Sequence, residues 1–227
     1  FLVTGPTGSG KTTTLYACLR MLNTIDTKIL TAEDPVEFPV EGIVQCHIVE
    51  AMGMTFAKAL KSFLRQDPDI ILVGEMRDLE TIQLAVSAAE TGHLVFGTLH
   101  TSSAAQTVDR MVDVSPPEQQ TQIRVQLSGS LVAVFSQTLC RRQNPAEGQF
   151  GRVMAQEILI NTPATANLIR EGKTAQLYSQ IQTGGEQGMQ TLEKALANLV
   201  LNGDVSRTEA MAKASKPGEL QRLIGDS

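Results

Sequence analysis

Eight residues near the start of the chain carry the sharpest chemical signal. Gly5-Pro6-Thr7-Gly8-Ser9-Gly10-Lys11-Thr12 fits the pattern G-x-x-x-x-G-K-[ST] at every position, the pattern of a loop that wraps phosphate. Glycines let consecutive backbone N–H groups curl around an anion without Cβ clashes. Lys11 offers a compact cation to the β and γ phosphates of ATP, and the Thr12 hydroxyl suits Mg²⁺. The spacing predicts a helix from Lys11 through Thr13 to about Leu22, whose positive dipole end faces the same anion. At ordinary glycine usage the pattern arises by chance in on the order of 1% of chains this long. A plain surface glycine loop is the alternative. The apolar strand end before it and the amphipathic helix after it weigh against that.

A phosphate loop needs acidic groups on neighbouring strands. Asp69-Ile-Ile-Leu-Val-Gly-Glu75 places four apolar residues before Glu75, the composition of a parallel strand buried on both faces. Glu75 then falls near the strand's C-terminal end, where open α/β sheets bind ligands. There it can hold a Mg²⁺-bound water or polarise the attacking one; the alternative is an ordinary capping or salt-bridged carboxylate. Thr31-Ala-Glu33-Asp34-Pro-Val-Glu37 is a second acidic box. His93 and His100 stand seven apart in Thr91-Gly-His-Leu-Val-Phe-Gly-Thr-Leu-His-Thr101. Along a strand that is ~23 Å, with an odd offset that sends the side chains to opposite faces. One metal ion is out of reach of both. His100, at the C-terminal end, is the candidate for the nucleotide pocket; His93 is either structural or a sensor. Arg77 reads as a partner of Glu75 or Asp78, or as a surface ion pair.

The elements that position these residues alternate in type. Lys28–Ala32, Ile70–Val73 and Leu94–Leu99 read as strands. Thr55–Arg65 reads as a helix with Phe56, Leu60, Phe63 and Leu64 on one face. Asp78 caps a helix to about Thr91, with Gly92 as its C′ residue, and Ser102 caps the next. Pro116-Pro117 opens a helical stretch extending through Leu139. A polar loop, Arg141–Gly151, precedes an edge strand at Val153–Ile160. Helices follow to the end, one opened by the capping box Ser206-x-x-Glu209. The fold expected is α/β with a mostly parallel sheet and right-handed crossovers. Residues 1–160 form its core and 161–227 a helical C-terminal subdomain.

Bulk properties bound the function. The 227 residues are 42% hydrophobic and 19% charged, with a net charge of −5. That excludes a disordered acidic chain and argues against a protein built to grip nucleic acid or anionic lipid. Cys18, Cys46 and Cys140 are scattered, without a CxxC pair, so neither a disulfide framework nor a zinc knuckle is expected, and a reducing compartment fits. No stretch reaches the ~20 apolar residues of a bilayer span. The start, Phe1-Leu-Val3, reads as the middle of a strand, so the chain is expected to be a fragment.

Together the phosphate loop, the Asp box (31–37), the Walker B strand ending at Glu75 and the His box (91–101) resemble the secretion ATPase superfamily of type II secretion and type IV pili. The resemblance covers nearly the whole chain and implies a RecA-like P-loop ATPase core, with an N-terminal PAS-like domain that is absent here and would supply arginine fingers. It implies that Glu37 activates water, with Glu33 as substitute, that Glu75 is the Walker B acid, and that His93 and His100 sense nucleotide or couple subunits. It also implies a ring of six at the cytoplasmic face of the inner membrane, pulling on a polytopic pilus platform protein with other pilus motor components. Ala88–His93 and Tyr178–Gly185 look like the retraction (twitching motility) branch. Cys140 stands alone where assembly relatives carry a four-cysteine zinc insertion, so no zinc is expected. Ala164-Thr165-Ala166-Asn167-Leu168-Ile169-Arg170-Glu171 matches the retraction motif only in its second half. Pilus assembly or type II secretion therefore stays the alternative, and a nucleotide-binding regulator without hydrolysis a more remote one. A nucleic-acid translocase would need a basic groove, of which Arg141-Arg142 is the only hint.

Overall fold

In the computed structural model, which describes residues 1–225, seven strands form one sheet in the order β3-β2-β4-β5-β1-β6-β7. These are β1 (Leu2–Thr4), β2 (Ile29–Glu33), β3 (Ile43–His47), β4 (Ile70–Val73), β5 (Leu94–Leu99), β6 (Ala133–Arg141) and β7 (Arg152–Ile160). All neighbours run parallel except β6 and β7, which pair antiparallel with Cys140 opposite Val153. Ile70, Ile71, Leu72 and Val73 are all buried, as a strand covered on both faces requires.

Helices α1 (Lys11–Leu22), α2 (Phe56–Phe63), α3 (Leu79–Glu90), α4 (Ala104–Asp113) and α5 (Pro117–Ser130) connect the sheet. The starts of α2, α3 and α4 are fixed by side-chain caps. The Thr55 hydroxyl accepts from Lys58 N–H, and the Asp78 carboxylate accepts from Thr81 N–H at 2.9 Å. Gly92 follows α3 with φ at 104°, the left-handed conformation that suits glycine. The cap of α4 is Ser103, not Ser102: its hydroxyl accepts from Gln106 N–H. That register puts Ala104 entirely in the core. Beyond the sheet come α6 (Pro163–Arg170), α7 (Leu177–Thr183), α8 (Leu192–Leu201), α9 (Arg207–Lys213) and α10 (Pro217–Ile224). Ile169, Leu177 and Ile181 join the main core, while α8 to α10 build a separate cluster over Cys140 and Ala155. The expected subdomain boundary at 227 includes residues 226 and 227, which lie outside the described residues. Among the described residues no helix is long and apolar enough to cross a membrane.

Two further sequence expectations need correction. The helical stretch from Pro117 stops at Ser130; residues 133–141 are β6, lying beside β1 with Val3 opposite Phe135. Ser136 and Gln137 interrupt its apolar pattern yet are buried, because both bond to the phosphate-loop region rather than to water. The capping box at Ser206 is half formed. Ser206 accepts from Glu209 N–H, but the Glu209 carboxylate accepts Arg141 N–H at 3.0 Å, at the end of β6.

Candidate functional site

The C-terminal ends of β1, β2, β4 and β5 converge on an open cleft of about 860 Å³. Leading out of β1, the glycine loop has Gly5, Gly8 and Gly10 at φ 141°, 78° and 88°. A Cβ on Gly5 would sit 2.2 Å from the Gln137 carbonyl oxygen, so only glycine lets the loop lie this close to β6. Lys11 Nζ donates to the Gly5 and Pro6 carbonyls at 2.8 and 3.3 Å. Burial lowers the Lys11 pKa, with Glu75 acting against it. The Ser9 hydroxyl is buried and has no partner among the described residues. Turned toward the cleft are Gly8, Lys11, Thr12 and Thr13. The cradle fits a phosphate chain: a cation on weak neutral acceptors, a helix N-terminus, and an orphaned hydroxyl in the loop.

Opposite the loop stands Glu75, just past β4. Its Oε2 meets Arg77 Nη2 at 2.5 Å and its Oε1 meets His100 Nε2 at 3.1 Å. Burial pushes its carboxyl pKa up; the Arg77 and His100 contacts more than reverse this and hold it below the ordinary carboxylate range. Glu75 is therefore ionised at neutral pH. Arg77 is the expected partner of Glu75; Asp78 is taken up with capping α3. With the Thr12 hydroxyl, Asp34 and Glu75, the cleft wall offers hard oxygen donors, the chemistry Mg²⁺ takes.

The two acidic-box glutamates differ. Glu37 is exposed and lines the cleft. Glu33 is buried, and its two oxygens accept from Tyr16 Oη, Thr31 Oγ1 and Gln45 Nε2. His100 lines the cleft, whereas His93 lies at the other end of β5 and bonds Ala88 O and Thr91 Oγ1 at 2.9 and 3.2 Å. Those contacts fasten the C-terminal end of α3.

Four contributors escaped the sequence. Gln137 Nε2 donates to Ser9 O at 2.8 Å, and its Oε1 accepts from Thr14 Oγ1 at 3.0 Å. Arg152, the first residue of β7, lines the cleft. Tyr16 and Gln45 bond to Glu33. The positions of Ser136 and Gln137 become readable only once β6 is known to be a strand.

A parallel sheet with a phosphate loop leading from β1 into α1, and acids on the adjoining strand ends, defines a P-loop nucleotide-binding domain of RecA-like type. The chain belongs to the type II/IV secretion system protein family, whose model matches residues 1–212. It is 58% identical over 222 residues to the type IV pilus retractation ATPase PilT of Pseudomonas aeruginosa, covering 95% of this chain and 62% of that protein. It is 52% identical to a twitching motility protein of Neisseria gonorrhoeae, covering 94% of this chain and 57% of that one. A crystal structure of the pilus retraction motor PilT with bound ADP superposes with a TM-score of 0.86 at 44% identity, covering 97% of this chain and 62% of that one. The chain thus spans about three-fifths of the length of these relatives.

Proposed function

We propose that this chain is the motor part of an ATPase that drives type IV pilus retraction. The single observation that carries the catalytic reading is Glu75, held ionised between Arg77 and His100 across the cleft from Lys11. Phosphate-loop N–H groups, Lys11 and Thr12 take the triphosphate of ATP. Mg²⁺, held by Thr12 and through water by Glu75, would neutralise charge on the β and γ oxygens. Glu37, whose carboxylate has no partner among the described residues, accepts the proton of the attacking water. Glu33 is buried with both oxygens already accepting from three donors, and anchors instead. Arg77 and His100 hold Glu75 and report the γ-phosphate to the loops that carry them. His93, away from the cleft, stiffens the end of α3.

Residues 1–160 act as the RecA-like core and 161–227 as a helical subdomain that turns against a neighbour in a ring of six. That ring works at the cytoplasmic face of the inner membrane, on a pilus platform protein and other pilus motor components. The name and identity of the Pseudomonas relative support retraction. The second reading, pilus assembly, has one observation in its favour: 39% identity to the assembly ATPase PilB of the same organism over 91% of this chain.

Two experiments test this. In the full-length protein, Glu75→Ala and Glu37→Gln should bind ATP but hardly release phosphate, whereas Lys11→Ala should lose nucleotide binding; near-normal turnover in the first pair would sink the catalytic assignment. Deleting the gene in its host should leave excess surface pili without twitching; a bald cell would favour assembly.

A further inference from the structure

The loop that carries Glu37 runs from residue 34 to residue 42 without regular structure. A base on such a segment needs its backbone fixed from outside. Two side chains on one face of β3, Gln45 and His47, do this. His47 Nδ1 accepts from Val36 N–H at 3.4 Å; Gln45 Oε1 accepts from Val40 N–H at 2.7 Å; and Gln45 Nε2 donates toward Phe38 O at 3.2 Å. The three anchors fall on both sides of Glu37. The same Gln45 amide lies 3.1 Å from Tyr16 Oη and 3.2 Å from Glu33 Oε1, so its two hydrogens are shared among three acceptors.

Tyr16 extends the network to the phosphate site. It sits on α1, the helix that begins with Lys11 and Thr12, and its hydroxyl donates to Glu33. Its ring meets Phe38, the residue after Glu37, edge-on with centroids 4.8 Å apart, and the Arg20 guanidinium lies 5.4 Å from the other partner's ring centroid. Burial first, then the Glu33 bond, pushes the Tyr16 phenol up to about 12, so it remains a donor throughout the working range.

We infer that Tyr16, Glu33 and Gln45 form a positioning network that fixes Glu37 relative to the phosphate loop. The inference rests on the reading of Glu37 as the base that activates water. Its chemistry is geometric: displacing a reacting group by about 1 Å costs on the order of 10²-fold in rate. A network that spans α1, β2, β3 and the Glu37 loop converts the placement of Lys11 and Thr12 into the placement of Glu37.

The test uses the full-length protein with Tyr16→Phe, Gln45→Leu, Glu37→Gln and the double variant Tyr16→Phe/Glu37→Gln. Steady-state kcat and the equilibrium affinity for ADP and a non-hydrolysable ATP analogue are measured for each. Both network variants should lose about 10- to 100-fold in kcat with nucleotide affinity within about twofold of wild type. Adding Tyr16→Phe to Glu37→Gln should cost nothing further, because the hydroxyl acts only through Glu37. Gln45 is half-buried and serves should the Tyr16 variant fail to fold. Full turnover in both network variants beside a slow Glu37→Gln overturns the network alone. So does affinity falling in step with kcat, or an equal loss from Tyr16→Phe in both backgrounds. Wild-type turnover by Glu37→Gln overturns the base assignment, and the network inference with it.

Discussion

Replacing Gln137 with leucine tests whether β6 holds the phosphate loop in shape. The side chain is buried, donates to Ser9 O at 2.8 Å, and accepts from Thr14 Oγ1 at 3.0 Å and Gln156 Nε2 at 3.3 Å. Leucine has nearly the same volume, so no cavity opens. What changes is that the Ser9 carbonyl is left buried without its donor, a loss of about 1–3 kcal/mol. Thr14 and Gln156 are half-buried and can turn to water, which adds little. The gain from burying a more apolar side chain offsets about 1 kcal/mol. A net loss of up to about 2 kcal/mol follows. Carried wholly by the loop, it lowers the fraction of molecules with a preformed cradle and weakens nucleotide affinity by up to about 30-fold. Fluorescent-nucleotide titration reads the affinity, and urea unfolding reads the stability. Gln156→Leu removes only the longest of the three bonds and should leave affinity unchanged. Wild-type affinity and an unshifted urea midpoint in Gln137→Leu would refute the reasoning.

Three further outcomes are expected. Cys140 is fully buried and its thiol is pushed up to about 11, by burial first and then by Glu209; at pH 8 only on the order of one in a thousand is thiolate, so iodoacetamide should spare it in the native protein and label it after denaturation. Glu75 sits below the ordinary carboxylate value in the folded state. Its pairing therefore stabilises above the unfolded value and is lost as pH falls through the folded one; the urea midpoints of wild type and Glu75→Gln should converge as pH drops below about 4. Asp78→Ala deletes bonds to Thr81 N at 2.9 Å and Thr81 Oγ1 at 2.7 Å and should cost about 1 kcal/mol by urea unfolding, with nucleotide affinity intact; an unchanged midpoint would deny the cap.

What the sequence revealed and what it hid divide by the range of the interactions. The phosphate loop was readable because its function is set by backbone shape within eight neighbouring residues. Glu75 was readable because a strand end is a position in a pattern, and β4 is apolar along its whole length. β6 was not, since its buried polar residues Ser136 and Gln137 answer to Thr4 and Ser9, more than a hundred residues away. A strand whose polar groups serve a site loses the apolar signature that identifies strands. The Ser206 box failed for the same reason: Glu209 had a better partner in Arg141, far off in the chain.

The three glutamates of the cleft show most directly what only geometry decides. By residue type and position each is a candidate base. A base must keep a free lone pair and enough basicity to take a proton. Glu33 spends both oxygens on three donors. Glu75 keeps its charge, but Arg77 and His100 hold its pKa down, which suits it to bind a cation or its waters rather than to accept a proton. Glu37 alone of the three is both exposed to the cleft and without a partner among the described residues. Its weakness is the reverse one, a loop that would wander, and the side chains on β3 supply that missing restraint. Under the proposed function the division of labour is then this: an anchored acid holds the loop, a clamped acid faces the metal's chemistry, and the free acid is left for water.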